Sequence, residues 1–324
     1  MPIPSIPTLA DSSVATQPRG SFQPAPGGGG GPGPTPPAGF WFDSITGKNL
    51  LGAYDVRDVA GASVVTLDAG GDVSVLSDLG DLGNDATHWR GAGTNSEKAP
   101  LSGTGESRFI SCLNGGAEIH WGFRTLTTFG FNLTGWHWFS IISLTDVSTV
   151  KTFASTSTSP YLYNIPSSGS SLRPLCQIDS KGGGNGGPPA GNIRTVIRSG
   201  GGQYIGSLNI ESLTGRKETD AYLRKALLEF RYEGDTQQQQ IWVNGYKLGE
   251  QIGPLSNTQY GYGVWGKRNL NEGGSPMNLF GFAVGEPNYA PNPFTQADAA
   301  DVRAAILSDY GIETWDGSTY PTPP

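Results

Sequence analysis

Glycine and proline interrupt this sequence too often for it to be built from long helices: 49 glycines and 24 prolines are spread over 324 residues. Proline breaks a helix interior, and glycine weakens one by about 1 kcal/mol relative to alanine; both supply the turns that a β protein needs at each chain reversal. Between these breaks lie short apolar or alternating runs at 62–67, 72–76, 108–112, 138–144, 150–154, 192–198, 204–211, 226–234 and 277–285. In "ALLEFRYEG" (226–234), Leu228, Phe230 and Tyr232 share one face at a period of two. Many short strands with few helical patterns predict an all-β chain folded as a two-sheet antiparallel sandwich. No internal repeat of fixed period is present.

Two local patterns are sharper than the rest. In "IWVNGYKLGE" (241–250), Ile241 and Val243 point one way and Trp242 the other, and Asn244-Gly245 supplies two residues that tolerate positive φ. That dipeptide between strand-like runs predicts a two-residue hairpin. Its outward Trp242 is expected to be covered by a loop, a partner or a ligand. "TQADAADVRAAILSDYG" (295–311) predicts one helix, with Thr295 as N-cap, Asp298 three residues on, and Gly311 as the stop. Ala299, Val302, Ile306 and Tyr310 recur at helical spacing, so this helix is expected to dock an apolar stripe on the sheets.

Residues 1–39 have a different character. "QPAPGGGGGPGPTPPAG" (23–39) cannot build a core, and the preceding stretch offers only the spaced apolar residues Ile3, Ile6, Leu9 and Val14 among prolines. Such a segment is expected to be extended and to anchor the chain to a partner. The expected division is therefore an arm and linker at 1–39, a β domain at 40–294, and a helix with a short tail at 295–324.

Charge excludes some partners. A net charge of −7 without clustered Lys and Arg argues against nucleic acid. No segment has the length and apolarity of a membrane-spanning helix, and the N-terminus lacks a charged region followed by an apolar one. Cys112 and Cys176 either pair or stay as separate buried thiols. His88, His120 and His137 have no partner at metal-ligand spacing, and each reads as a hydrogen-bonded sheet residue. "SDLGDLGNDA" (77–86) gathers Asp78, Asp81, Asn84 and Asp85, oxygen ligands that suit calcium and serve equally well as turn formers. In "NTQYGYGVWGKRN" (257–269), Tyr260 and Tyr262 share a strand face near Trp265. With Trp242, these rings are the candidate carbohydrate or partner contacts, against the alternative that they are buried between the sheets.

Three longer stretches, in order, carry a resemblance: "NLLGAYDVRDVAG…GDVSVLSDLGDLGNDATHW" (49–89), "LLEFRYEGDTQQQQIWVNGYKLGE" (227–250) and "LFGFAVGEPNYAPNPFTQADAADVRAAILSDYGI" (279–312). Together they resemble the concanavalin A-like lectin/glucanase jelly roll, in the laminin-G-like version found in phage virion proteins and bacterial surface proteins. The resemblance implies a jelly-roll winding, carbohydrate binding, many copies or a homo-oligomer, and a place on the surface of a phage particle. There the arm would hold other virion proteins, as in capsid decoration. A tail fibre or receptor-binding adhesin, and a secreted carbohydrate-binding module, are the alternatives. The glucanases of this superfamily use a Glu-x-Asp-x-Glu triplet; "ETDAY" offers Glu218 and Asp220, but Tyr222 replaces the last Glu. Without that second glutamate the carboxylate pair lacks its acid, so a non-enzymatic role is expected.

Overall fold

The computed structural model describes residues 48, 50–59, 62–80, 84–89, 100–111, 122–125, 135–144, 161–164, 175–179, 192–199, 202–207, 225–233, 236–252, 264–265, 277–287 and 293–316. These form strands β1 (Leu50–Asp55), β2 (Asp58–Val59), β3 (Ala62–Ser63), β4 (Val65–Leu67), β5 (Val73–Leu76), β6 (Ala86–Trp89), β7 (Leu101–Ser102), β8 (Phe109–Ser111), β9 (Gly122–Thr125) and β10 (Gly135–Leu144). They continue with β11 (Tyr161–Asn164), β12 (Leu175–Asp179), β13 (Asn192–Ser199), β14 (Gly202–Ser207), β15 (Ala226–Glu233), β16 (Gln238–Val243), β17 (Tyr246–Ile252), β18 (Val264–Trp265) and β19 (Met277–Gly285). The one α-helix among the described residues is α1 (Gln296–Asp309).

The chain is thus mostly β, and its pairings are antiparallel. An eight-stranded sheet runs β17-β16-β15-β10-β19-β8-β7, with β1 also paired to β19. A nine-stranded sheet runs β14-β13-β12-β11-β18-β9-β6-β5-β4, and β2 and β3 form a separate ribbon. The expected strand at 150–154 lies outside the described residues.

Burial in the eight-stranded sheet follows its register. Trp138 lies opposite Phe230 and Val284, Ser140 opposite Leu228 and Phe282, and Tyr54 opposite Phe282, so these side chains share a face. Trp138, Phe230, Phe282 and Tyr54 are buried there. The other face of the sheet carries Ala53, Phe139, Ile141, Leu227 and Ala283, and α1 covers it with Ala299, Val302, Ile306 and Leu307. Both faces of β15 are therefore buried, so its period-two pattern does not separate an inside from a solvent side. Each fully buried Val, Leu, Ile or Phe side chain in this layer contributes about 1.5–3 kcal/mol by leaving water, and each alanine less.

The ends of the helix are fixed locally. The Thr295 hydroxyl accepts a bond from the Asp298 amide at 3.1 Å, while the Asp298 carboxylate accepts one from the Thr295 amide at 2.9 Å. At the other end, the Gly311 amide donates to Ser308 O and the Ile312 amide to Leu307 O, with Gly311 at φ +60, which satisfies the last carbonyls in a Schellman arrangement. Arg57, only 3% exposed, then holds the helix terminus. It binds the carboxylates of Asp55 and Asp309, donates to the Asp309 carbonyl at 3.2 Å, and lies 3.6 Å over the Tyr310 ring. A cation at this end also complements the helix dipole.

Candidate functional site

The site is centred on the β16–β17 hairpin. Asn244 (φ 48) and Gly245 (φ 85) turn the chain in two residues, as the Asn-Gly signal predicted. The turn is buried as well as tight: the Asn244 side chain accepts a bond from the Leu227 amide at 2.8 Å, its own amide donates to Leu227 O, and its carbonyl accepts from the Trp315 amide. Ile241 and Val243 are buried against Phe230 and Leu228, so Trp242 takes the face towards α1. Its cover is a cation from the helix: the Arg303 guanidinium lies 4.1 Å from the indole ring centre. The Trp242 Nε1–H is buried without a hydrogen-bond partner.

The face that carries Trp242 continues outward across the hairpin. Gln240 sits opposite Glu250, Gln238 opposite Ile252, and Trp242 opposite Lys247. Three donors converge on Glu250 Oε2: Lys247 Nζ at 2.9 Å, Gln238 Nε2 at 3.0 Å and Gln240 Nε2 at 3.4 Å. The Lys247 contact holds the Glu250 carboxyl below its usual range. Lys247 and Glu250 are 40% and 45% exposed, Ile252 is exposed, and Gln240 Oε1 is a buried acceptor without a partner. Arg303 also lines an open groove of about 440 Å³, together with Ala300, Ala304, Leu307, Ser308, Ile312 and Thr314.

Beneath Arg303 the charges are closed on one another. Glu229, fully buried, accepts two bonds from Arg303 (2.6 and 2.8 Å) and lies 2.9 Å from His137 Nε2. Arg231 Nη1 is 3.3 Å from His137 Nδ1, and Arg231 Nε donates to Glu233 at 2.7 Å. Burial lowers the His137 pKa to about 4, so the ring is neutral, with Nε2–H donating to Glu229 and Nδ1 accepting from Arg231. Burial pushes the Glu229 carboxyl up, but the bonds from His137 and Arg303 outweigh it and hold the group below its usual range.

The acidic loop has a backbone role. Asp78 Oδ1 accepts from the amides of Ala53 and Gly80, Oδ2 accepts from the Asn84 amide, and Asp85 accepts from the Asp78 amide, all at 2.8–2.9 Å. Asn84 donates to Leu51 O, and the Tyr54 hydroxyl donates to Asn84 O. Asp78 therefore spends three acceptor sites of its carboxylate on amides, as turn formers do. Asp81 lies outside the described residues. Among the described residues, no group of three His, Cys, Asp or Glu is placed to hold a metal ion.

The other expected contacts are only partly visible. Trp265 lies in β18, which pairs with β9 and β11. Tyr260, Tyr262, the arm residues Ile3, Ile6, Leu9 and Val14, Cys112, His120 and the Glu218–Tyr222 stretch lie outside the described residues. His137 is a hydrogen-bonded sheet residue, as expected. Sequence reading missed Glu229, Arg231 and Arg303 as partners, and Gln238, Gln240, Lys247 and Glu250 as one cluster. The available signal was the pair of opposite charges set between Leu228, Phe230 and Tyr232 in an otherwise apolar strand.

No protein-family model matches this chain, and no curated protein matches it. Among solved structures it is similar to domain 4 of AbnA, a GH43 extracellular arabinanase from Geobacillus stearothermophilus, in complex with arabinotriose. That match has a TM-score of 0.48 and 12% identity over 79% of this chain and 98% of that one. The botulinum neurotoxin type G receptor binding domain gives 0.45 and 10% identity, over 82% of this chain and 51% of that one. NanB sialidase from Streptococcus pneumoniae gives 0.34 and 12% identity, over 52% of this chain; the chain spans 23% of that protein's length. At these scores and identities the likenesses assign neither a family nor an activity.

Proposed function

We propose that this chain is a non-enzymatic carbohydrate-binding protein displayed on a phage particle, with the outer face of the β16–β17 hairpin as its binding face. The observation that carries the binding role is the convergence of Gln238, Gln240 and Lys247 on Glu250 beside Trp242. Amides and a carboxylate exchange hydrogen bonds with the vicinal hydroxyls of a sugar. The two large antiparallel sheets are read as the layers of a jelly-roll sandwich. The virion setting rests on the sequence resemblance and on the arm-plus-domain layout, with Ile3, Ile6, Leu9 and Val14 contacting other virion proteins. Many copies on one particle would turn a weak site into firm attachment to host-surface glycans.

The test is a glycan array probed with the full chain displayed multivalently, beside a Glu250→Gln, Gln238→Ala double variant. Specific binding that falls about ten-fold or more in the variant is the expected result, equivalent to a loss of about 1.4 kcal/mol. Binding to no glycan, or binding indifferent to the double substitution, overturns the reading.

A further inference from the structure

One chain of polar contacts between α1 and the sheet runs through a buried imidazole. The other polar tie of the helix's N-terminal half is Lys48, 3.0 Å from Asp298 and 2.9 Å from Asp301, a partly exposed pair of the kind that contributes little to docking. Arg303, in the middle of the helix, binds Glu229; Glu229 meets His137; His137 meets Arg231; Arg231 binds Glu233, and Glu233 accepts a bond from Gln296 in the first helical turn at 2.7 Å. The relay thus leaves the helix at Arg303 and returns to it at Gln296. The groups around His137 are few. From β15 they are Glu229 and Arg231, with Glu233 beyond Arg231, and from α1 Arg303 one bond further. Opposite it on β19 stands Gly285, which has no side chain. Phe139 of its own strand stacks on the ring at 4.4 Å, and Phe294, just before the helix, meets it edge-on at 5.8 Å.

We propose that this relay is a proton-operated latch: neutral His137 holds the bridges that dock the N-terminal half of α1, and its protonation frees that half and uncovers Trp242. The reason is donor–acceptor logic joined to charge balance. Two cations, Arg231 and Arg303, are matched by two anions, Glu229 and Glu233, so the relay is neutral as it stands. A proton on Nδ1 converts the acceptor that Arg231 uses into a donor facing another donor. It also leaves a surplus positive charge where no solvent reaches, since His137 is fully buried. Such a charge is stabilised only when water enters, and lifting the half of the helix that carries Gln296 and Arg303 admits it. The C-terminal half stays attached, because Arg57 clamps Asp309 away from the relay.

The sign follows from linkage. The folded His137 pKa of about 4 lies below the ordinary 6.5, so the folded form binds fewer protons. Docking is complete above the ordinary value and is lost as pH falls towards the depressed one.

Hydrogen–deuterium exchange of the full chain tests this, with rates corrected for the intrinsic effect of pH. Between about pH 7 and about pH 4.5, amides of residues 296–303 are expected to exchange about ten-fold faster, while those of β10 and β15 keep their protection. His137→Gln, which offers one donor and one acceptor but does not titrate, should abolish that difference. Helix and sheet losing protection together, or α1 keeping its protection at both pH values, overturns the latch. If His137→Gln does not fold, an NMR titration of the His137 ring in the native chain decides. Titration at an ordinary histidine value overturns the proposal, and titration near the depressed value, coincident with loss of helix protection, supports it.

Discussion

Glu229 is an anion without solvent, and its three short contacts are what permit its charge. Removing one member of a buried pair costs more than the pair contributes, because the remaining partner keeps its desolvation penalty. Glu229→Gln leaves Arg303 half-matched and is expected to destabilise the chain by about 3–5 kcal/mol. Urea unfolding measures this; a loss below about 1 kcal/mol contradicts the pairing described. Gln239 shows the reverse case. It is 2% exposed, and neither amide atom has a partner, so its polarity is all cost. Gln239→Leu is expected to leave stability unchanged or raise it by about 1 kcal/mol, and a clear fall in the urea midpoint contradicts that expectation. For Glu229 the sequence offered only its opposite charge two residues away in an apolar strand, and for Gln239 nothing. A polar residue at an alternate strand position looks the same whether water or protein lies above it.

At the scale of elements the sequence is far more explicit, because turns and caps are local. Asn244-Gly245 and the Thr295/Asp298 cap needed only neighbouring residues to be read, and both formed as expected. The hairpin turn is also a packing surface. A Cβ at Gly245 would stand 3.3 Å from Leu307 Cδ1 and 3.7 Å from Arg303 Cδ. Gly245→Val therefore meets two obstacles, the positive φ and the helix, and is expected to cost about 2 kcal/mol or more. Thermal unfolding checks this; a midpoint equal to that of the native chain contradicts the turn geometry. Trp242 lies between the two scales. Alternation alone placed it opposite Ile241 and Val243, but its cover by Arg303 depended on a helix more than fifty residues further along the chain.

Across the whole molecule, the division of labour between arm and domain remains a sequence expectation with a direct test. Residues 1–39 offer almost no side chains able to fill a core, so deleting them should move the thermal midpoint by less than about 2 °C. A large fall would make the arm part of the folded unit. By itself the sequence determined that the described residues are mostly β, where the Asn244-Gly245 hairpin turns, and where the one described helix begins and ends. The reason is that strand alternation, positive φ and capping are settled within a few residues. Only the tertiary structure decided which face of β15 the helix covers, and hence that Glu229, Arg231 and His137 are buried and paired. It also decided that Gln238, Gln240, Lys247 and Glu250 meet at one oxygen. These outcomes depend on strand register and on long-range docking, where the partner of each charge lies far away along the chain.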